Sequence, residues 1–260
     1  MQIDSNTAAI VTGGASGLGR ASAEALAAAG VKVAIFDWNA EKGEAVARGI
    51  GAQFCRVDVT DEASVVKGFA AARAANGQER ILIHCAQTSR GGKTVGRNRE
   101  TGEFKRLSTA DYEYSVLGIL VASYRLASLS ALGMAGLEPL EDGERGVMTL
   151  TASVAAQDAR VGQVAYGSAK AGVNGLVLPM ARDLMDLGIR VNSIMPGIFA
   201  TPPMLGAPPK VLDTLSASVP FPKRLGHPHE FASLVLEFIR NSYFNGQSIR
   251  LDGAIRMPAR

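Results

Sequence analysis

Short apolar runs and helical stretches alternate along the chain, and no other feature narrows its fold so far. The run 7–13, TAAIVTG, ends at a glycine as a buried strand does, and 21–29, ASAEALAAA, reads as a helix stopped by Gly30. The stretch 31–37, VKVAIFD, reads as the next strand. The pattern continues with helix 41–50, strand 52–60, helix 61–75, strand 80–86 and a long helix 109–132 capped by Ser108 or Thr109. It closes with strand 146–153, helix 164–187, strand 188–197, helix 229–240 and strand 246–253. Connections that contain a helix force parallel pairing, and a parallel sheet carries helices on both faces. The expectation is one α/β domain over residues 1–260, a doubly wound parallel sheet of about seven strands. Two connections stand out, 87–108 and the proline-rich 196–228. Loops of that length in a compact domain are functional or mobile.

Composition excludes several classes. Hydrophobic residues make up 47% and charged residues 20%, enough apolar surface for a full core and unlike a disordered or fibrous chain. A net charge of +3 is too small to announce nucleic acid. The two cysteines, Cys55 and Cys85, form no CxxC pair, which fits a reducing compartment. The start, MQIDSNTAAIVTGG, has Asp4 and no basic segment, so no signal or transit peptide is expected. No run of ~18 apolar residues is expected to span a membrane. These readings lead us to expect a soluble cytoplasmic protein with no metal.

Between the first strand and the first helix lies TGGASGLG, with Gly13, Gly17 and Gly19 spaced G-x3-G-x-G. Glycine permits the sharp turn and lets a pyrophosphate approach the backbone, while the helix start offers free N–H groups and a positive dipole end. Asp37 ends the second strand, 18 positions after Gly19. A carboxylate there accepts hydrogen bonds from both ribose hydroxyls of NAD and repels the 2′-phosphate of NADP. Neither Ser16 nor Trp38 is basic, so NAD is favoured. Asp58, with Val59, ends the third strand, within reach of an adenine amino group.

The stretch 164–172, VAYGSAKAG, sets Tyr166 and Lys170 one helical turn apart. Ser153 ends the preceding strand, and the C-terminal ends of parallel strands share one crevice. A free phenol, with pKa near 10, is a poor base at neutral pH. A nearby ammonium and a positive nicotinamide ring favour the phenolate. Tyr166 can then take the proton of an alcohol while hydride leaves its carbon, with Ser153 holding the same oxygen; such proton transfer contributes roughly two to four orders of magnitude.

With these residues in view, the chain resembles the short-chain dehydrogenase/reductase family. The resemblance runs from TGGASGLG to NGQSIRLDGAIRM and includes Ser153, YGSAK (166–170) and RVNSIMPG (190–197). It implies a single-domain Rossmann-type oxidoreductase. The segments TASVAAQDARVGQVAYGSAKAG and VPFPKRLG resemble the branch acting on 3-hydroxyacyl-CoA thioesters and 17β-hydroxysteroids. By position the resemblance implies cofactor contacts at Ser16, Leu18, Asp37, Asp58, Val59, Cys85, Tyr166, Lys170, Phe199 and Thr201, and a homotetramer.

Three departures qualify that picture. Where the family has N-N-A-G or N-C-A-G, this chain reads HCAQ: His84 replaces an Asn that braces the sheet, and Gln87 replaces a Gly beside the nicotinamide ribose. Ile119 stands where the family carries an Asn that holds a water linking the lysine to solvent. The loop 87–108 holds Arg90, Lys93, Arg97, Arg99, Lys105 and Arg106 against Glu100 and Glu103, a net of +4 in a chain of +3. Such a loop can meet the phosphates of coenzyme A. The segment 196–228 is expected to form a substrate lid lined by Ile198, Phe199, Met204 and Leu205. The expected activity is NAD-linked interconversion of a secondary alcohol and a ketone, a 3-hydroxyacyl-CoA first. The alternatives are a hydroxysteroid or polar alcohol as substrate, or a low-activity NAD-binding scaffold subunit without the relay Asn.

Overall fold

A computed structural model describes residues 1–98 and 100–259. Arg99 of the basic loop lies outside the described residues. Seven strands form one parallel sheet: β1 (Ala8–Thr12), β2 (Lys32–Asp37), β3 (Gln53–Arg56), β4 (Ile81–His84), then, after the short β5 (Val95–Arg97) and β6 (Phe104–Arg106), β7 (Gly146–Thr151), β8 (Ile189–Pro196) and β9 (Ser248–Leu251). Their spatial order is β3-β2-β1-β4-β7-β8-β9. The order reverses between β1 and β4, which pair in register from Ala9 opposite Ile81 to Thr12 opposite His84. That switch point is where open parallel sheets bind ligands.

Each strand face packs against its own layer of helices. The helices are α1 (Gly17–Ala28), α2 (Ala40–Ile50), α3 (Glu62–Asn76), α4 (Thr109–Val116), α5 (Ala122–Met134), α6 (Ala155–Asp158), α7 (Val164–Asp183), α8 (Pro202–Leu205), α9 (Pro209–Ser218) and α10 (Pro228–Arg240). Leu26 of α1, Val46 of α2 and Phe231 and Phe238 of α10 bury against Val11, Val33 and Ile83. On the opposite face Phe69 of α3, Leu126 of α5 and Val173 of α7 bury against Ile10, Leu82 and Met148. A central strand covered on both sides has no polar face, so AAIVT and ILIH read as unbroken apolar runs. Helix ends follow local chemistry. The Asn39 side chain accepts from the Lys42 N–H at the start of α2, and Gly51 ends that helix with φ 67°.

Four expectations change. The helix over 109–132 runs as α4 and α5 with a π-turn, Leu117–Val121, between them, and Ser108 is its cap. Among the described residues one helix, Thr109–Met134, is long and apolar enough by length and composition to cross a membrane, with mean hydropathy 1.6 over an 18-residue window. Here Ile119, Leu126 and Met134 are buried against the sheet, so its apolarity belongs to the core. The loop 87–108 contains the antiparallel hairpin β5–β6, and 196–228 contains α8 and α9. β3 ends at Arg56, which leaves Asp58 and Val59 in the turn beyond it.

Candidate active site

The glycine turn joins β1 to α1 and faces the end of β4. Gly13 has φ 68°, and a β-carbon there would lie 2.8 Å from the Ala86 nitrogen. At Gly19 a β-carbon would lie 2.3 Å from the Gly13 carbonyl oxygen, so the turn closes only without side chains. Ser16 is the N-cap of α1 but makes no side-chain cap bond, which leaves the first-turn N–H groups open to an anion. Gly17 has φ 55° and approaches Thr201, so the segment ahead of α8 lies over the start of α1. Leu18 is half-buried and packs against the core.

Asp37 is tied into this turn. One carboxylate oxygen accepts from the Ala15 N–H at 3.1 Å and the other from the Asn39 N–H at 3.0 Å. The remaining lone pairs suit a ribose diol. The open N–H groups, the side-chain-free cradle and this carboxylate together fit a nicotinamide dinucleotide. Asp58 is exposed, and one of its oxygens accepts from the Thr60 N–H and hydroxyl. Val59 is buried, and its carbonyl accepts from Arg125 at 2.7 Å. Phe199 corrects the lid reading. Its ring is buried edge-on against Phe231, with centroids 6.4 Å apart, so it belongs to the core. Leu205 is exposed.

At the end of β4 the side chain of Thr12 organises three groups. Its hydroxyl accepts from the N–H groups of Cys85 and Ala86 at 3.1 and 3.2 Å. Its one proton therefore goes to Nδ1 of His84, 2.7 Å away, which places the imidazole proton on Nε2. Burial, reinforced by Lys170, pushes His84 down to about 3, so it stays neutral: a satisfied core histidine. Burial pushes the Cys85 thiol up to about 11, against the pull of a hydrogen bond from Thr151, and so removes it as a nucleophile. Thr12 was missed in the sequence. Its signal was the β-strand position directly before the glycine turn.

Ser153, Tyr166 and Lys170 meet beside this floor. Ser153 lies two residues past β7, and its hydroxyl accepts from the Ala155 N–H at 3.1 Å. Tyr166 and Lys170 lie on one face of α7, with Nζ 5.9 Å from the phenol ring centroid. Lys170 is 3% exposed and donates to the Thr151 carbonyl. Burial pushes its ammonium down to about 7. The phenol of Tyr166 is raised by burial and drawn back by hydrogen bonds with Ser153 and Gln87. Within the protein alone, burial dominates both groups. Ile119 is buried in the π-turn, and its carbonyl accepts from the Ser123 hydroxyl at 2.7 Å.

A sheet that reverses order at a glycine turn, with Ser, Tyr and Lys at its crevice, defines a dinucleotide-dependent oxidoreductase acting on a carbinol carbon. The family model for short chain dehydrogenase matches residues 7–208, and the chain belongs to that family. It is 43% identical over 254 residues to 3-hydroxyacyl-CoA dehydrogenase type-2 of Drosophila melanogaster, covering 97% of this chain and 98% of that one. It is 42% identical over 251 residues to the Homo sapiens enzyme of the same name, covering 96% and 95%. A crystal structure of 3-hydroxyacyl-CoA dehydrogenase type-2 from Mycobacterium avium superposes with a TM-score of 0.92 at 40% identity, covering 98% of each chain. Members of this family use NAD or NADP.

Proposed function

We propose that this protein interconverts 3-hydroxyacyl-CoA and 3-ketoacyl-CoA with NAD as its cofactor. The observation that carries the reading is the meeting of Ser153, Tyr166 and Lys170 beside the glycine turn. The relatives' shared activity supplies the substrate class. Asp37 supports NAD over NADP: a 2′-phosphate would set a dianion against a carboxylate already fixed by two N–H groups.

When bound, the cofactor accepts the hydride from the carbinol carbon. Tyr166 takes the hydroxyl proton as a phenolate and returns it as a phenol in the reverse direction. Ser153 donates to the substrate oxygen, held in place by its own bond from the Ala155 N–H. Lys170 keeps part of its positive charge under the phenol ring and ties α7 to the end of β7 through Thr151.

The hairpin β5–β6 supports a thioester substrate. It is docked on the turn before α7 by the Gly92 N–H, which donates to Gly162 at 2.9 Å. Between them lies a cavity of about 470 Å³ lined by Lys93, Val95, Arg160 and Val161. A neighbouring cavity of about 320 Å³ adds Arg106, Leu107 and Tyr112. Apolar walls with cations at the rim suit a pantetheine arm ending in phosphates. Exposed Tyr124, Leu132 and Leu178 on α5 and α7 leave apolar surface that a homotetramer would cover.

The test is NADH consumption with acetoacetyl-CoA by the wild-type protein beside Tyr166→Phe. Consumption that falls by about a thousandfold in the variant, with NADH still bound, supports the reading. Turnover retained by Tyr166→Phe removes Tyr166 from its role. A wild-type protein that binds NADH and leaves acetoacetyl-CoA untouched removes the substrate.

A further inference from the structure

Ser153 stands outside the sheet that positions the rest of the crevice. β7 ends at Thr151, and Ser153 leads into α6, a single turn of helix from Ala155 to Asp158. One turn of helix does not hold itself together in water. Its start is anchored: the Val154 N–H donates to the Pro196 carbonyl at 3.2 Å, and Val154 and Ala155 are buried. The Ala155 N–H donates to the Ser153 hydroxyl at 3.1 Å, so α6 and that hydroxyl move together.

The far end of α6 is held by one side chain from β9. Arg250 donates to both carboxylate oxygens of Asp158, at 2.7 and 3.1 Å, and to the Gln157 amide oxygen at 2.8 Å. Its own fork is fixed from the other side by the Asp252 carboxylate at 2.7 Å and the Ile255 carbonyl at 2.9 Å. The Met257 N–H gives Asp158 a further bond at 3.1 Å. The pair is sheltered, with the side chains of Arg250 and Asp158 14% and 17% exposed. A planar fork on a carboxylate sets an angle as well as a distance.

The clasp acts across a tight contact. A β-carbon at Gly167, next to Tyr166, would lie 2.7 Å from the Ala159 β-carbon and 3.0 Å from the Ala155 carbonyl oxygen. The segment from Ser153 is thus seated on the helix that carries the phenol, and Arg250 stops it from drifting away. Ser153 and Tyr166 must grip one substrate oxygen together, and a misplacement of about 1 Å costs up to about a hundredfold in rate.

We propose that Asp158 and Arg250 are positioning residues: their ion pair fixes α6 and, through the Ala155 N–H, holds the Ser153 hydroxyl at the distance from Tyr166 at which both grip one substrate oxygen. The proposal rests on the roles given to Ser153 and Tyr166 above.

The test joins crystal structures of the NAD-bound protein to a double-mutant cycle. Asp158→Asn keeps the shape and removes the charge; Arg250→Met keeps the length and removes the fork. Each moves the Ser153 hydroxyl relative to the Tyr166 phenol by about 1 Å and lowers kcat with acetoacetyl-CoA between about tenfold and a hundredfold, with NADH affinity unchanged. In a Ser153→Ala background the same substitutions cost less than about twofold, since no hydroxyl is left to misplace. A merely structural ion pair costs the same in both backgrounds. If Arg250→Met does not fold, Asp158→Asn carries the test alone. An unmoved hydroxyl in Asp158→Asn overturns the proposal, as does a loss of kcat equal in both backgrounds. A displaced hydroxyl in a protein inert towards acetoacetyl-CoA retains this proposal and discards the substrate. Turnover of acetoacetyl-CoA by the wild type with an unmoved hydroxyl in the variant does the reverse.

Discussion

The half of the molecule from β1 to β4 and the half that covers the crevice are built on different principles. In the first, the glycine turn takes its shape from the few residues within it. Gly13, Gly17 and Gly19 lie within one turn, and Asp37 closes the adjacent strand with its carboxylate bonded to Ala15 and Asn39. In the second, position is set by contacts far apart in the chain. The hairpin β5–β6 is docked by the Gly92 N–H, which donates to the carbonyl of Gly162. The loop before it is held by Arg90, which pairs with Asp111 at 2.8 Å and lies over Tyr114 at 4.3 Å. A glycine turn carries its geometry within itself, whereas a charged hairpin takes its place from what it docks on. The cofactor half should therefore fail sharply when one atom is added, and the covering half should yield gradually.

The sharpest break is Gly19→Ala. A methyl group 2.3 Å from the Gly13 oxygen forces the turn open at a cost of ~3 kcal/mol or more. NADH binding should fall more than a hundredfold, read by quenching of Trp38, the chain's single tryptophan, which is 73% exposed beside Asp37. Binding within tenfold of wild type would show that this half also yields.

Lys170→Met follows. In the fold Lys170 loses its proton near 7, against 10.5 for an ordinary lysine. Between those values the unfolded chain holds a proton that the folded one has released, so stability rises with pH across that window, and below it the full penalty applies. The variant should abolish turnover. It should also be more stable than wild type near about pH 6, by a few kcal/mol, with the gap closing by about pH 10. Denaturant midpoints at the two ends would measure this, and a gap independent of pH would contradict it.

Asp37→Ala should move the ratio of kcat/KM for NADP over NAD upward by about tenfold or more. An unmoved ratio would remove Asp37 from cofactor choice. The smallest effects belong to the hairpin. Lys93→Ser and Arg106→Ser should each raise KM for acetoacetyl-CoA about threefold, more in dilute salt, with kcat unchanged. Equal KM values at low and high salt would detach the groove from the substrate.

Legibility in the sequence follows the same division. Gly13, Gly19 and Asp37, and the spacing of Tyr166 and Lys170 on α7, were legible because period and turn chemistry act over a few residues. Thr12 was not, since its role lies in reaching Cys85, Ala86 and His84 across the gap between β1 and β4. Nor was the ring of Phe199, which follows a proline–glycine pair as a lid residue would and yet turns inward onto Phe231 of α10.

By itself, then, the chain's pattern of apolar runs and helices determined a parallel sheet, and its glycines and Asp37 determined a side-chain-free turn with a carboxylate beside it. The tertiary structure alone decided the protonation of the crevice. Lys170 near 7, a neutral His84, an inert Cys85 and a phenol raised by burial are all consequences of how far each group is removed from water. Burial is a sum over neighbours from every part of the chain, and no local stretch of sequence contains that sum.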